Sequence, residues 1–295
     1  MSLAARKPTL ELRARILKTM RAFFDARGYL EVETPVRVKT PAMEDHIDAE
    51  SSGDHWLRTS PELHMKRMVS AGYDRIYQIG PCFRRGEYGA RHRPEYTMLE
   101  WYRTGATYRD LETETSQLLQ ALCAQLGRTE FMGVDLSAVP VRYTVRDAFC
   151  LWAGWDPLEA FDPDRFDEDL TEKIEPRLAE SPVPLILTDF PPQRAALSRL
   201  SQTPVPVAER WELYLAGMEL ANAYTELTDA GEQRERFKIC AQARAKRGQE
   251  IYPLDEAFLN DLKKGMPPCA GIALGIDRLI MILAETEQIH QVRAF

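Results

Sequence analysis

Residues 83–102, FRRGEYGARHRPEYTMLEWY, constrain this chain more than any other stretch. Before them, residues 75–80 (RIYQIG) are apolar and β-prone, and after them residues 96–103 alternate in the two-residue period of a strand. In that alternation Tyr96, Met98, Glu100 and Tyr102 share one face, while Thr97, Leu99, Trp101 and Arg103 share the other. The pattern predicts a hairpin with a long loop carrying Arg84, Arg85, Arg91, His92 and Arg93, opposed by Glu87. Basic groups suit phosphate, an aromatic face suits a nucleobase and a carboxylate suits an ammonium. The stretch therefore points to a nucleotide and a cationic small molecule held side by side.

The rest of the composition narrows the setting. A chain of 295 residues can build one large α/β or α+β domain or two small ones. No run approaches the roughly 18 apolar residues of a membrane span, and residues 1–13 lack the apolar core of a secretory signal. The cysteines, Cys82, Cys123, Cys150, Cys240 and Cys269, are scattered and have no CxxC spacing. That argues against a disulfide framework or zinc site and for a reducing, cytoplasmic setting. A net charge of −7 disfavours DNA or any extended phosphate backbone as a partner, while leaving room for local anion sites.

Along the chain, residues 9–27 predict an amphipathic helix, with Leu12, Ile16, Met20 and Phe23 on one face and Gly28 at its end. Residues 29–34 alternate as a strand that stops at Pro35, and residues 36–58 predict an irregular, mobile loop. Ser60, Pro61 and Glu62 predict a helix start with serine as N-cap, running to about Ala71 and carrying His64, Lys66 and Arg67. A further helix is expected over 107–126, closed by Gly127, then a helix-rich acidic segment at about 143–180 and a buried strand at 184–190. Residues 209–215 and 218–227 predict a tight hairpin around Ala216-Gly217. Within it Glu212 and Glu219 come near enough to share a cation. Asn222, Tyr224 and Glu226 share a face by parity, but Glu219 joins them only through a β-bulge near Ala221. Helices follow at 233–247 and 254–264, and residues 271–278 (GIALGIDR) pass from a small-residue strand into a helix over 277–284. Glycines there let a backbone approach a ligand, and Arg278 at the helix start can hold a phosphate.

Together these stretches resemble the catalytic domain of class II aminoacyl-tRNA synthetases in the lysine branch, over nearly the whole chain. RGYLEVETP, closing a unit at about 9–35, is similar to motif 1, the dimer-forming motif. CFRRGEYGARHRPEYTMLEWY, within about 75–103, is similar to motif 2, and GIALGIDRL, within about 271–284, to motif 3. TSPELHMKR and RWELYLAGMELANAYTELTD are similar to the lysyl branch in particular. The resemblance implies an α+β fold, a mostly antiparallel sheet flanked by helices, forming a single domain over 1–295. It implies a homodimer that uses ATP and Mg²⁺. The N-terminal OB-fold domain that binds the anticodon is not expected, because the chain begins almost at motif 1. Together with the acidic balance this argues against tRNA. The expectation is a free-standing paralog that attaches a lysyl or β-lysyl group to a lysine of translation elongation factor P. The alternatives are a truncated tRNA-charging enzyme and an inactive regulatory paralog.

By the same resemblance, Arg84 contacts the α-phosphate and the substrate carboxylate, and His92 and Arg278 hold the β- and γ-phosphates. Tyr96 stacks on adenine, and Glu212 and Glu219 bind Mg²⁺. Glu226 and Tyr102 take the lysine ε-ammonium, Glu62 and Glu100 take the α-amino end, and Asn222 and Tyr224 complete the wall. Three positions depart from the family pattern. Gly86 stands where motif 2 has glutamate. Either Glu87 substitutes for that glutamate through a shifted loop, or nothing here touches the adenine and amino acid in its place. Arg93 stands where asparagine is usual, and Ala273 replaces a motif 3 glycine, as in the paralogs that prefer β-lysine.

Overall fold

The computed structural model describes residues 3–295; Met1 and Ser2 of the expected single domain lie outside the described residues. Eight strands form the main sheet: β1 (Leu30–Glu31), β2 (Arg75–Phe83), β3 (Glu95–Thr104), β4 (Val141–Thr144), β5 (Leu185–Phe190), β6 (Ala208–Leu215), β7 (Met218–Thr225) and β8 (Cys269–Gly275). Their order is β1-β2-β3-β8-β7-β6-β5-β4. Pairing is parallel only at the two edges, β1 with β2 and β5 with β4; every pair between is antiparallel. This is the mostly antiparallel, helix-flanked α+β sheet that the sequence predicts.

Alternation assigns the two faces different work. The back face carries Leu99, Trp101, Trp211, Leu213, Ala223, Ile272 and Leu274. Three helices cover it: α1 (Leu3–Asp25), α3 (Tyr108–Leu126) and, late in the chain, Ile276–Leu283. Ile16, Met20 and Phe24 from α1 and Leu118 and Leu122 from α3 are almost completely buried there, each such side chain contributing about 1.5–3 kcal/mol. Thr107 and Asp110 form a capping box at the start of α3, and Gly127, at φ 66°, ends it as expected.

The front face is covered only at its ends. Near β2 lie α2 (Glu62–Ser70), α4 (Ala230–Lys246) and α5 (Glu256–Gly265), packed through Leu63, Met65, Phe237, Phe258 and Leu262. Over β5, residues 145–178 fold into short α and π turns around Phe149, Phe166 and Ile174. The central strands are left open between these two covers. The helix Ile276–Leu283, hereafter α6, starts directly after β8 at the edge of that gap.

Three local expectations need correction. Residues 36–58 are not a mobile loop: Arg37–Val38, Ser51–Ser52 and His55–Leu57 form a small antiparallel sheet. One arginine from elsewhere and one of their own anchor these residues. Arg244 of α4 donates to the Glu44 and Ile47 carbonyls and to Asp48, and Arg58 donates to the carbonyls of Thr34 and Pro81. The strand expected over 29–34 pairs only at Leu30 and Glu31 before the chain turns towards Pro35. Helix α2 begins at Glu62, later than the serine cap implied, although the Ser60 hydroxyl still accepts from the Glu62 amide at 2.9 Å.

Candidate active site

The open front face carries a cavity of about 900 Å³ whose lining includes every site residue singled out in the sequence. Strand register explains how they meet. Glu100 lies opposite Ala273, and Tyr102 opposite Gly271. Ala273 lies in turn opposite Asn222, and Gly271 opposite Tyr224. Across the β6–β7 hairpin Glu212 faces Asn222 and Tyr214 faces Glu219, with Leu220 inserted as the extra residue. That bulge, one position from where parity demanded it, turns Glu219 onto the same face as Asn222 and Tyr224. Ala216 (φ 48°) and Gly217 (φ 68°) form the two-residue turn with both φ values positive.

One end of the cavity is built for anions. The Arg84 guanidinium lies over the Tyr96 ring, 5.2 Å from its centroid, and its Nε has no hydrogen-bond partner among the described residues. Burial disfavours its charge, but the oxygens of Tyr96, Glu44, Glu87 and Glu219 outweigh that and hold the group above its ordinary value. The Tyr96 hydroxyl donates to the Thr59 carbonyl at 2.8 Å, fixing the ring. Arg278 donates to the Glu219 carbonyl at 2.7 Å and contacts His92 Nε2. Burial, and then Arg278, hold His92 below its ordinary value, so the neutral imidazole accepts at Nε2. Gly86 adopts φ 80°, a left-handed turn that brings the Glu87 carboxylate back to 3.6 Å from Arg84. Glu87 thus places a carboxylate beside Arg84. Arg93 lines the mouth and is exposed.

The other end is built for cations. Glu100 is buried, its oxygens receiving the Ser60 hydroxyl at 2.5 Å and the Tyr102 hydroxyl at 3.1 Å. Burial, reinforced by Glu62, pushes its carboxyl up to about 8. Glu226 is buried as well, and burial raises it too. Between these acids sits a residue whose place on α2 the sequence predicts but whose role it does not. Lys66, with no exposed surface, reaches Glu62 at 2.6 Å and Glu226 at 2.6 Å. The two acids expected at opposite ends of a substrate therefore flank one internal ammonium. The signal is present as the helical spacing of Glu62 and Lys66 on α2, but the second partner of Lys66 lies 160 residues on. Gly271 is the opening that makes this possible: a Cβ there would collide with the Tyr102 ring and the Glu226 carboxylate.

Two further residues escape a reading of the sequence. Arg210 of β6 pairs with Glu212, donates to Asn222 Oδ1 at 3.2 Å and stacks on Phe190. Its strand parity with Glu212 is the available signal. Glu44 lines the cavity from the small-sheet segment, pushed up to about 7 by burial, and nothing local in the sequence marks it. The Glu212 carboxylate also receives Tyr214 at 2.8 Å, whereas no hydrogen bond or ion pair among the described residues engages the Glu219 carboxylate. Burial and the neighbouring Glu212 raise Glu219. Two neighbouring acids on one sheet face, one of them uncommitted, suit a hard cation that keeps water or phosphate oxygens as its other ligands. Among the described residues no group of three or more His, Cys, Asp or Glu could hold a metal alone.

Comparison with known proteins agrees with this geometry. The family model for tRNA synthetases class II (D, K and N) matches residues 3–295. Among curated proteins, an elongation factor P–(R)-β-lysine ligase of Avibacterium paragallinarum is 38% identical, the match covering 97% of this chain and 94% of the relative. Proteins of the same name from Mannheimia succiniciproducens and Vibrio cholerae are 37% and 36% identical with the same coverage.

Proposed function

The chain belongs to the class II tRNA synthetase family (D, K and N), and from that premise we propose that it activates lysine or (R)-β-lysine with ATP and transfers the acyl group to a lysine of elongation factor P. The observation that carries the reading is the pairing, in one cavity, of an anion end (Arg84, His92, Arg278) with a carboxylate end (Glu62, Glu100, Glu226). Adenylate formation from a diammonium acid needs both. The acceptor and the β-isomer are taken from the names of the relatives, and Ala273 between Glu100 and Asn222 is the residue whose methyl reshapes the amino-group end.

In the first step the substrate carboxylate oxygen attacks the α-phosphorus, and the bond to the bridging oxygen breaks to release pyrophosphate. The nucleophile is already an anion, so no general base is required; the protein contributes position and charge. Arg84 neutralises the charge gathering on the α-phosphate and the substrate carboxylate. Arg278 and His92 hold the outer phosphates, Tyr96 and Glu87 border the adenine side, and Glu212 and Glu219 would hold Mg²⁺, which would screen the phosphate oxygens. Glu226 and Tyr102 take the distal ammonium, Glu62 and Glu100 the proximal one, and Asn222 and Tyr224 close the wall. In the second step the neutral ε-amine of the acceptor attacks the acyl carbon, an amide forms and AMP leaves.

We place the reaction in the cytoplasm, carried out by a homodimer of single-domain chains. No helix among the described residues is long and apolar enough to cross a membrane. A protein acceptor suits an acidic chain better than tRNA does, because phosphate-backbone binding draws on broad unpaired basic surface. Pyrophosphate exchange driven by lysine or β-lysine at saturating ATP and Mg²⁺ tests activation, and its absence sinks the ligase. Label transfer from the active enzyme to elongation factor P, but not to tRNA, tests the acceptor; the reverse result would favour a tRNA-charging enzyme.

A further inference from the structure

Lys66 has no part in the chemistry described above, yet it is a fully enclosed charge directly behind two of the cavity's lining acids. It projects from α2 between Glu62, one helical turn earlier, and Glu226, beyond the end of β7, at 2.6 Å from each. An ammonium removed from water is costly unless paired. Burial disfavours the charge here, and Glu226 and Glu62 outweigh it, keeping the amine protonated above its ordinary value. The Lys66 ammonium lies against Glu226 Oε2, while Oε1 packs over Gly271 beside the Tyr102 ring.

A count of charge gives this arrangement a use. Glu62, Glu100 and Glu226 bring three carboxyl groups to this end of the cavity, and Lys66 brings one ammonium. Once an arriving ammonium has displaced the Glu100 proton, the excess is two negative charges, which matches a substrate with two ammonium groups and leaves its carboxylate to Arg84. We infer that Lys66 is a specificity-determining positioning residue: it clamps Glu62 and Glu226 in place and sets the charge of the pocket so that a diammonium acid is neutralised and a monoammonium acid is not. This inference rests on the adenylation reading. Without Lys66, the buried Glu226 and the half-buried Glu62 would lose the ammonium between them, and at least one would take up a proton rather than remain charged. The other titratable groups around the clamp are Glu100 and Tyr102 on β3, Tyr224 on β7, Cys269 at the start of β8 and Glu44 across the cavity.

The test is pyrophosphate exchange by wild type, Lys66→Met and Lys66→Arg with lysine, β-lysine and norleucine, which lacks the distal ammonium, at pH 6.5, 7.5 and 8.5. Failure of wild type with both diamino acids refutes the adenylation reading itself, whereas an active wild type isolates the inference. In Lys66→Met the KM for the diamino acids is expected to rise at least 30-fold, with the KM for ATP within twofold. Discrimination against norleucine should fall at least tenfold, and part of the lost affinity should return at pH 8.5, where the unclamped acids ionise. A lysine that merely supported the fold would lower activity alike for both substrate types at every pH, and that result overturns the inference. If Lys66→Met gives no cooperative, ATP-protected melting, Lys66→Arg decides. Discrimination within threefold of wild type supports charge-setting, and a larger loss in a folded variant overturns it.

Discussion

At the scale of single residues, the site depends on one place where a side chain is missing. Gly271 has neither a turn nor a positive φ to explain it; its neighbours do. A methyl there would enter the space held by the Tyr102 ring on β3 and by the Glu226 carboxylate just past the end of β7. Gly271→Ala is expected to cost about 1–3 kcal/mol of stability through overpacking and to abolish lysine-driven exchange while ATP still protects the protein against heating. Normal amino-acid activation would refute the placement of that pocket. Glu100 supplies a second prediction. Its carboxyl, raised by burial from 4.5 to about 8, binds a proton in the fold that the unfolded chain has released over that range. Its contribution to stability is therefore full below the unfolded value and declines as pH rises through the folded one, at up to about 1.4 kcal/mol per pH unit. An arriving ammonium favours the carboxylate, so lysine binding near pH 7 should release a proton. Calorimetry in two buffers of different ionisation enthalpy would detect it, and an equal release from Glu100→Gln would disprove the assignment.

At the scale of elements, what is legible in the sequence depends on whether the signal is local. The alternation of residues 96–103, the Ala216-Gly217 turn and the Gly127 end of α3 are decided within a few residues, and they are where the pattern puts them. The bulge is readable for a different reason: four polar side chains can serve one face only if one residue is extra, and that residue is Leu220. Residues 36–58 fail the same reasoning because their order comes from Arg244, about two hundred positions away. Lys66 is visible as a helical residue, but its second partner is not. Arg244 carries a prediction at this scale. It has no exposed surface and ties α4 to the segment that brings Glu44 to the cavity. Arg244→Met would leave the Asp48 carboxylate and the carbonyls of Glu44, Ile47 and Glu250 without the hydrogen bonds it donates. The melting temperature should fall, hydrogen exchange over residues 44–48 should accelerate, and the KM for ATP should rise more than the KM for lysine. Unchanged exchange in that segment would show that other contacts hold it.

For the whole molecule, the prediction concerns the edge where α1 meets β1. β1 has only two residues, pairs with β2 on one side, and leaves Leu30 half exposed at 51%. A short edge strand is one way proteins avoid uncontrolled pairing, yet an apolar side chain at that edge also suits burial against a second copy. This helix-strand unit is the part that resembles motif 1, whose role in the family is the dimer interface. A two-fold contact would place the same edge of each chain against the other. It would leave the cavity, which opens over β3, β8, β7 and β6 towards the other end of the sheet, free to receive an acceptor. Sedimentation at micromolar concentration should therefore give twice the chain mass of 33.8 kDa, and Leu30→Arg should shift the boundary towards the monomer without changing the KM for ATP measured on the remaining dimer. A wild-type boundary at the mass of one chain would remove the motif 1 edge as an interface. A dimer indifferent to Leu30→Arg would move the interface to another part of that edge.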